Sequence, residues 1–246
     1  MMPRPEISVI IPAFNEEERL PQTLEHVSHY LRSLSFASEI LVVDDGSTDH
    51  TAQVVSALAR SIPNLFLLSN GSNRGKGFSV RHGMLEAHGR IALFTDADLS
   101  APIEESQKLF AALESADIAI GSRALNRRLI EIHQSRGREL AGILFNRVMR
   151  LLTGLPFEDT QCGFKAFAMP GSRIVFELQR IEDFGFDPEI LFLAKRHGLR
   201  VVEVPVRWSH DPRTKVHVLR DSAKMLLDLL LILWNDLLGR YARRRA

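Results

Sequence analysis

Short, almost wholly apolar runs recur at regular intervals along this chain: Ile7–Ile11, rich in β-branched residues, then Ile40–Val43, Leu65–Leu68, Ile91–Phe94 and Ile118–Ile120. None alternates with polar residues, so each reads as a strand buried on both faces. Stretches with helical period separate them; Leu20, Leu24, Val27 and Leu31 form one such stripe. This β-α alternation predicts an α/β fold, a mostly parallel sheet with helices on its faces. In open sheets of that class ligands bind beyond the C-terminal ends of the strands.

The residues after each run therefore carry the functional argument. The run at Ile91 ends in Asp96-Ala97-Asp98. Two carboxylates so close repel unless a cation lies between them, and oxygen donors at this spacing suit Mg²⁺ or Mn²⁺ bridging a diphosphate. The same residues also read as a solvated loop capping the next helix. After Pro12, the acidic Glu16-Glu17-Glu18 suits a helix N-terminus, while Asn15 and Glu16 could instead contact a ligand. Val43 leads into Asp44-Asp45-Gly46, with Thr48 or Asp49 expected to cap the following helix. The fifth run ends on Arg123.

The loop Asn70–Gly77 is basic and Gly-rich but fails the Walker pattern: three residues, not four, separate Gly71 from Gly75-Lys76, and Gly77 stands where Ser or Thr belongs. No G-x-G-x-x-G is present. Lys76 reads either as a positive group near a ligand phosphate or as part of a surface loop.

Helices are expected from about Phe78 to His88 and from Pro102 to Glu114, and a mobile basic loop from Ala124 to Arg138. Further helices are expected from Glu139 to Leu152 and from Gly185 to His197, with a late strand at Val201–Val206 and a polar loop at Ser209–Val216. Between Phe157 and Phe167 an acid, an amide, a glycine and a lysine sit in an apolar frame. The tail from Asp221 is a very apolar helix with a narrow polar stripe (Asp221, Lys224, Asp228, Asn235) and then arginines. It reads as a helix docked on the core, or as an interfacial helix lying in a bilayer surface, with Trp234 at the interface. The expected division is 1–220 for the α/β domain and 221–246 for the amphipathic helix and basic tail.

With 31 basic and 30 acidic residues, nothing overall points to nucleic acid, and the single Cys162 fits a reducing compartment. Residues 1–6 contain no apolar leader, so no signal peptide is expected. No window reaches the roughly 18 apolar residues of a spanning helix.

Taken in order, Val9–Glu16, Val42–Asp49, Asp96-Ala97-Asp98 and Gly121-Ser122-Arg123 resemble the inverting glycosyltransferases of family 2, with their Rossmann-like GT-A fold. Asp159-Thr160-Gln161-Cys162-Gly163-Phe164-Lys165 resembles the polyprenyl-phosphate branch, and most of all its dolichyl-phosphate β-glucosyltransferase group. Eukaryotic members of that group usually carry an N-terminal membrane span; none is seen here, which suggests a prokaryotic relative with dolichyl or undecaprenyl phosphate as acceptor.

The resemblance implies that Pro12, Ala13, Asn15, Glu16, Asp44 and Asp45 line the nucleoside pocket, with Lys76 and Ala97 beside the donor. It implies that Asp96 and Asp98 hold Mg²⁺ or Mn²⁺ with Gln161 nearby, and that Arg123, Arg138 and Lys215 bind phosphate. Asp159 becomes the carboxylate beside the reacting centre. The implied partners are a nucleotide sugar, UDP-glucose first, a polyprenyl phosphate and the cytoplasmic face of a membrane. A GDP-mannose-dependent mannosyltransferase is the nearest rival. A sugar-1-phosphate nucleotidyltransferase would need a basic Gly-rich loop after the first strand, where this chain has Pro12-Ala13-Phe14-Asn15-Glu16. A non-catalytic membrane-surface protein would not need the full set of acidic and basic strand ends.

Overall fold

The computed structural model describes residues 4–132, 136–211 and 218–242. Its strands are β1 (Ile7–Ala13), β2 (Ser38–Asp44), β3 (Leu65–Ser69), β4 (Ile91–Thr95), β5 (Ile118–Ser122), β6 (Ile130–Ile132), β7 (Phe164–Ala168), β8 (Val201–Pro205) and β9 (Trp208–Ser209). Its helices are α1 (Leu20–Ser33), α2 (Thr51–Leu58), α3 (Lys76–Glu86), α4 (Ser106–Ala112), α5 (Arg136–Thr153), α6 (Arg173–Leu178), α7 (Phe186–Arg196) and α8 (Val218–Leu237).

The main sheet has the order β3-β2-β1-β4-β7-β5-β8, and β6 pairs with β9 in a small separate ribbon. β1 is parallel to β2 and β4, β2 to β3, and β5 to β8. β7 runs antiparallel between β4 and β5. The order turns at β1, with β2 on one side and β4 on the other, which opens a crevice beyond the C-terminal ends of β1 and β4. β7 serves the same edge from the opposite direction. Its first residue, Phe164, pairs with Thr95, the last of β4, so the segment just before β7 arrives where the parallel strands end.

Both faces of the sheet are covered at its centre, which is why β1, β2 and β4 are largely apolar and buried. β3, expected to be buried on both faces, lies at the edge of the sheet and leaves Phe66 44% exposed. Val9, Ile11 and Leu93 pack under α1 and α2 with Leu20, Leu24, Val27 and Val55. Ile10, Ala92 and Phe94 pack on the other side with Val80 and Met84 of α3, Ile190 of α7 and Ile232 of α8.

Several boundaries differ from the expected ones. α1 begins at Leu20; the Glu17 carboxylate accepts from His50 N (2.8 Å), just before α2, rather than heading its own helix. Asp49 accepts from Thr51 N (2.9 Å) while His50 occupies the cap position of α2. α3 starts at Lys76, so the basic loop ends in a helix N-terminus. The stretch expected as a loop from Ala124 to Arg138 instead holds a 3₁₀ turn at Arg127–Leu129, the strand β6 and the start of α5.

α8 is inverted relative to an ordinary surface helix. Its described polar side chains meet partners on the protein: Lys224 pairs with Asp183, Asp228 lies against Gly185, Asn235 reaches Tyr241 Oη (3.4 Å), and Asp236 pairs with Arg196 (2.9 Å). Leu229 and Ile232 are buried. Leu227, Leu230, Leu231, Trp234 and Leu237 are exposed, Trp234 by 57% and Leu237 by 81%. Among the described residues no helix is long and apolar enough to cross a membrane.

Candidate active site

The first wall of the crevice joins the ends of β1 and β2. Asn15 takes a left-handed backbone (φ 54°), which asparagine tolerates, and its Oδ1 accepts from Thr48 N at 2.8 Å. Ser47 Oγ accepts from Asn15 N (2.9 Å) and Thr51 Oγ1 from Glu16 N (2.8 Å), so the two strand-end loops are stitched together. Pro12 and Ala13 lie within β1, opposite Val43 and Asp44. Asp44 Oδ1 accepts from Ser47 N (3.2 Å). Asp45 is buried, and its carboxylate accepts from Asn70 Nδ2 (2.7 Å), Arg74 N (2.9 Å) and Gly75 N (2.8 Å). Asp45 therefore anchors the loop from Asn70 to Gly75. Glu16 pairs with Arg19 (3.3 Å), which also reaches Asp211 (3.5 Å) across the crevice.

The centre lies beyond β4. The Asp96 carboxylate rests on the bare Cα of Gly163, where a Cβ would overlap it, and Lys76 Nζ is 2.6 Å from Asp96 Oδ1. Ala97 is buried and its carbonyl accepts from Thr23 Oγ1 (2.6 Å). Ser100 N donates to Asp98 Oδ1 (2.9 Å). Burial, and then the charge of Asp96, push the Asp98 carboxyl above its ordinary range. Among the described residues no group of three or more His, Cys, Asp or Glu side chains is placed to hold a metal ion by itself. The chain thus offers two hard oxygen donors and one ammonium. That set fits Mg²⁺ or Mn²⁺ only when a ligand's own oxygens complete the coordination, as diphosphates do for such ions. The Gln161 amide meets Met225 Sδ of α8 at 3.6 Å, so it is turned toward α8.

The far wall is built by β5 and the approach to β7. Arg123 grips Asp159 through both ends of its guanidinium, Nε to Oδ2 (2.6 Å) and Nη2 to Oδ1 (2.8 Å), and its own N–H adds a third bond (3.0 Å). Trp208 lies under the guanidinium, 5.4 Å from ring centre to Cζ. Burial alone would raise the Asp159 carboxyl, but the Arg123 charge and hydrogen bonds overcome it and hold the group below its usual range. Burial pushes the Cys162 thiol up to about 12, so it stays protonated and is no nucleophile.

Two residues that the sequence singles out without a role acquire one in the structure. Lys165, the second residue of the otherwise apolar β7, is 0% exposed; it donates to Cys162 O (2.7 Å) and pairs with Asp187 at the start of α7. The other is Gly163 itself. A lysine inside an otherwise apolar strand is the available signal for the first; nothing in the sequence announces the carboxylate that Gly163 accommodates. Arg138 falls in α5, but its side chain, like all of Lys215, lies outside what is described.

Comparison with known proteins adds findings of three kinds. The family model for glycosyl transferase family 2 matches residues 8–164. A dolichyl-phosphate beta-glucosyltransferase of Trichomonas vaginalis is 36% identical over 243 residues, covering 94% of this chain and 73% of that protein. Among solved structures, glucosyl-3-phosphoglycerate synthase from Mycobacterium tuberculosis, in complex with Mn²⁺, UDP and glucosyl-3-phosphoglycerate, aligns at TM-score 0.61 and 19% identity, covering 98% of this chain and 82% of that one. A mannosyltransferase from Pyrobaculum calidifontis in complex with GDP-Man and Mn²⁺ aligns at TM-score 0.60 and 22% identity, covering 94% and 65%. These two likenesses show the shared fold.

Proposed function

This chain belongs to glycosyltransferase family 2, and on that premise we propose that it transfers glucose from UDP-glucose to a polyprenyl phosphate of the dolichyl type, with inversion at the anomeric carbon. The observation that carries the reading is the state of Asp159. An alcohol acceptor needs a general base near the operating pH. Asp159 is the carboxylate at the acceptor wall, yet both its oxygens are bound by Arg123 and its proton affinity is lowered. A phosphate acceptor arrives already ionised, so it asks for cations and positioning instead. The name of the Trichomonas relative agrees with that acceptor.

In this reading Asp96 and Asp98 would hold Mg²⁺ or Mn²⁺ at the donor diphosphate; solved structures of the same fold carry Mn²⁺. Such an ion, when bound, supplies Lewis-acid neutralisation of the leaving group. Asn15, Glu16, Asp44 and the backbone of Pro12 and Ala13 face the nucleoside, while Asp45 shapes its pocket by holding Arg74 and Gly75. Arg123, kept in place by Asp159 and Trp208, orients the acceptor phosphate; Arg138 and Lys215 assist it. Gln161, turned toward Met225, positions the loop before β7 rather than the ion.

The outward apolar face of α8 lies on the cytoplasmic surface of a membrane, where the lipid acceptor is found, with Trp234 at the interface and the arginines beyond it on anionic headgroups. The test is a donor panel with a short polyprenyl phosphate, Mg²⁺ and detergent. Turnover of UDP-glucose with formation of a β-linked lipid phosphate is the expected result. Turnover of GDP-mannose alone assigns the rival donor, and no turnover on any lipid phosphate overturns the acceptor.

A further inference from the structure

We propose that Lys76 is an exchangeable counter-ion: it holds Asp96 before ligand arrives and changes partner to the donor diphosphate, which makes divalent ion and nucleotide bind cooperatively. The inference rests on the reading of this centre as a metal and diphosphate site.

The backbone of Lys76 is fixed. Asp45 pins Arg74 and Gly75 just before it, and Gly75 (φ 103°) packs so closely on the Glu182 carbonyl that no side chain fits. The Nζ, at the end of a flexible four-carbon stem, is not fixed in the same way. It sits 2.6 Å from Asp96 Oδ1, with 21% of its side chain exposed. Asp98 and Asp187 also stabilise its charge, and Asp187 is itself held from behind by Lys165.

The balance of charge sets the order of binding. Asp96, Asp98 and Lys76 together carry one net negative charge. A divalent ion entering alone turns this positive and faces an ammonium already seated on one of its ligands. A diphosphate entering with the ion restores the negative sum and offers oxygens to which Lys76 can donate. Lys76 thus competes with the ion in the absence of nucleotide and assists it in its presence. By linkage the nucleotide gains the same factor from the ion.

The test is Mn²⁺ titration followed by electron paramagnetic resonance, with and without saturating UDP, and again with GDP. In wild-type protein the nucleotide should tighten Mn²⁺ binding by about tenfold or more, within the usual range of coupling. In Lys76→Met and Lys76→Gln, Mn²⁺ alone should bind severalfold more tightly than in wild type, and the tightening by nucleotide should shrink to about threefold or less. Unchanged Mn²⁺ affinity without nucleotide, or undiminished coupling, in variants with wild-type melting curves would overturn the proposal. The wild-type protein gives a check that needs no variant: the Lys76 ammonium resonance should move when Mg²⁺ and UDP are added together, and its failure to move in the loaded protein counts against the exchange. Wild-type protein that binds neither Mn²⁺ nor either nucleotide would instead sink the functional reading.

Discussion

At Gly163 the missing side chain is what seats Asp96. Gly163→Ala should leave the fold intact by circular dichroism yet weaken Mn²⁺ binding about 10- to 100-fold, the range for disturbing a ligand's support. Asp159 calls for a different test. Asp159→Asn removes the charge that fixes Arg123 but keeps the side-chain shape, so kcat should fall about 10²-fold. The loss should be equal at pH about 6 and about 9, because a carboxylate held by Arg123 takes no proton in the reaction. A loss that faded at high pH would make Asp159 a base. The strand-end residues Asp96, Asp98 and Arg123 were legible because a fully apolar run that stops at a charge marks the point where a buried strand reaches solvent or a ligand. The roles of Gly163, Lys165 and Asp187 were not, since each matters through a residue far away in sequence.

Between elements, one tie near the end of the described chain is Glu189 of α7, which accepts from Arg180 N (3.0 Å), Ile181 N (2.8 Å) and the hydroxyl of Tyr241, beyond α8 (2.5 Å). Burial raises its carboxyl to about 7, against the lowering by those bonds. The folded protein therefore keeps a proton that the unfolded chain releases in the ordinary carboxylate range. Stability from this group is complete below that range and is lost as pH rises through about 7. The melting temperature should fall across that window in wild type and stay flatter in Glu189→Gln, the difference being at most about 3 kcal/mol. For α8, Leu230→Glu with Trp234→Glu should cut sedimentation with anionic vesicles about tenfold or more while nucleotide binding is kept. If sedimentation is unchanged, α8 is not the membrane contact. The period of α8 was visible in the sequence, but not which side faces in: a stripe of Asp, Lys and Asn ordinarily meets water, and here it meets the partners offered by α7 and its approach. β7 was hidden for a related reason, because a short buried strand looks the same in either direction.

For the molecule as a whole, the sheet joins two cores whose contents differ in sequence range. The core under α1 and α2 is filled largely by the first half of the chain, while the opposite face takes α5 to α8 as well. The insertion of β7 between β4 and β5 has a consequence in time rather than in space. Phe164 to Ala168 must cross to Ile91–Thr95, closing a long loop before the pairing gives any return. Until it does, β4 and β5 have no bridge between them and Asp96 has no Gly163 to rest on. In refolding, Mn²⁺ and nucleotide binding should therefore recover with the slowest phase, behind the return of helical signal. Binding that returned with the helices would show that the first half of the chain assembles the centre unaided. The edge of this sheet that carries the candidate site is then also its closing seam, and binding should stay absent until the seam is shut.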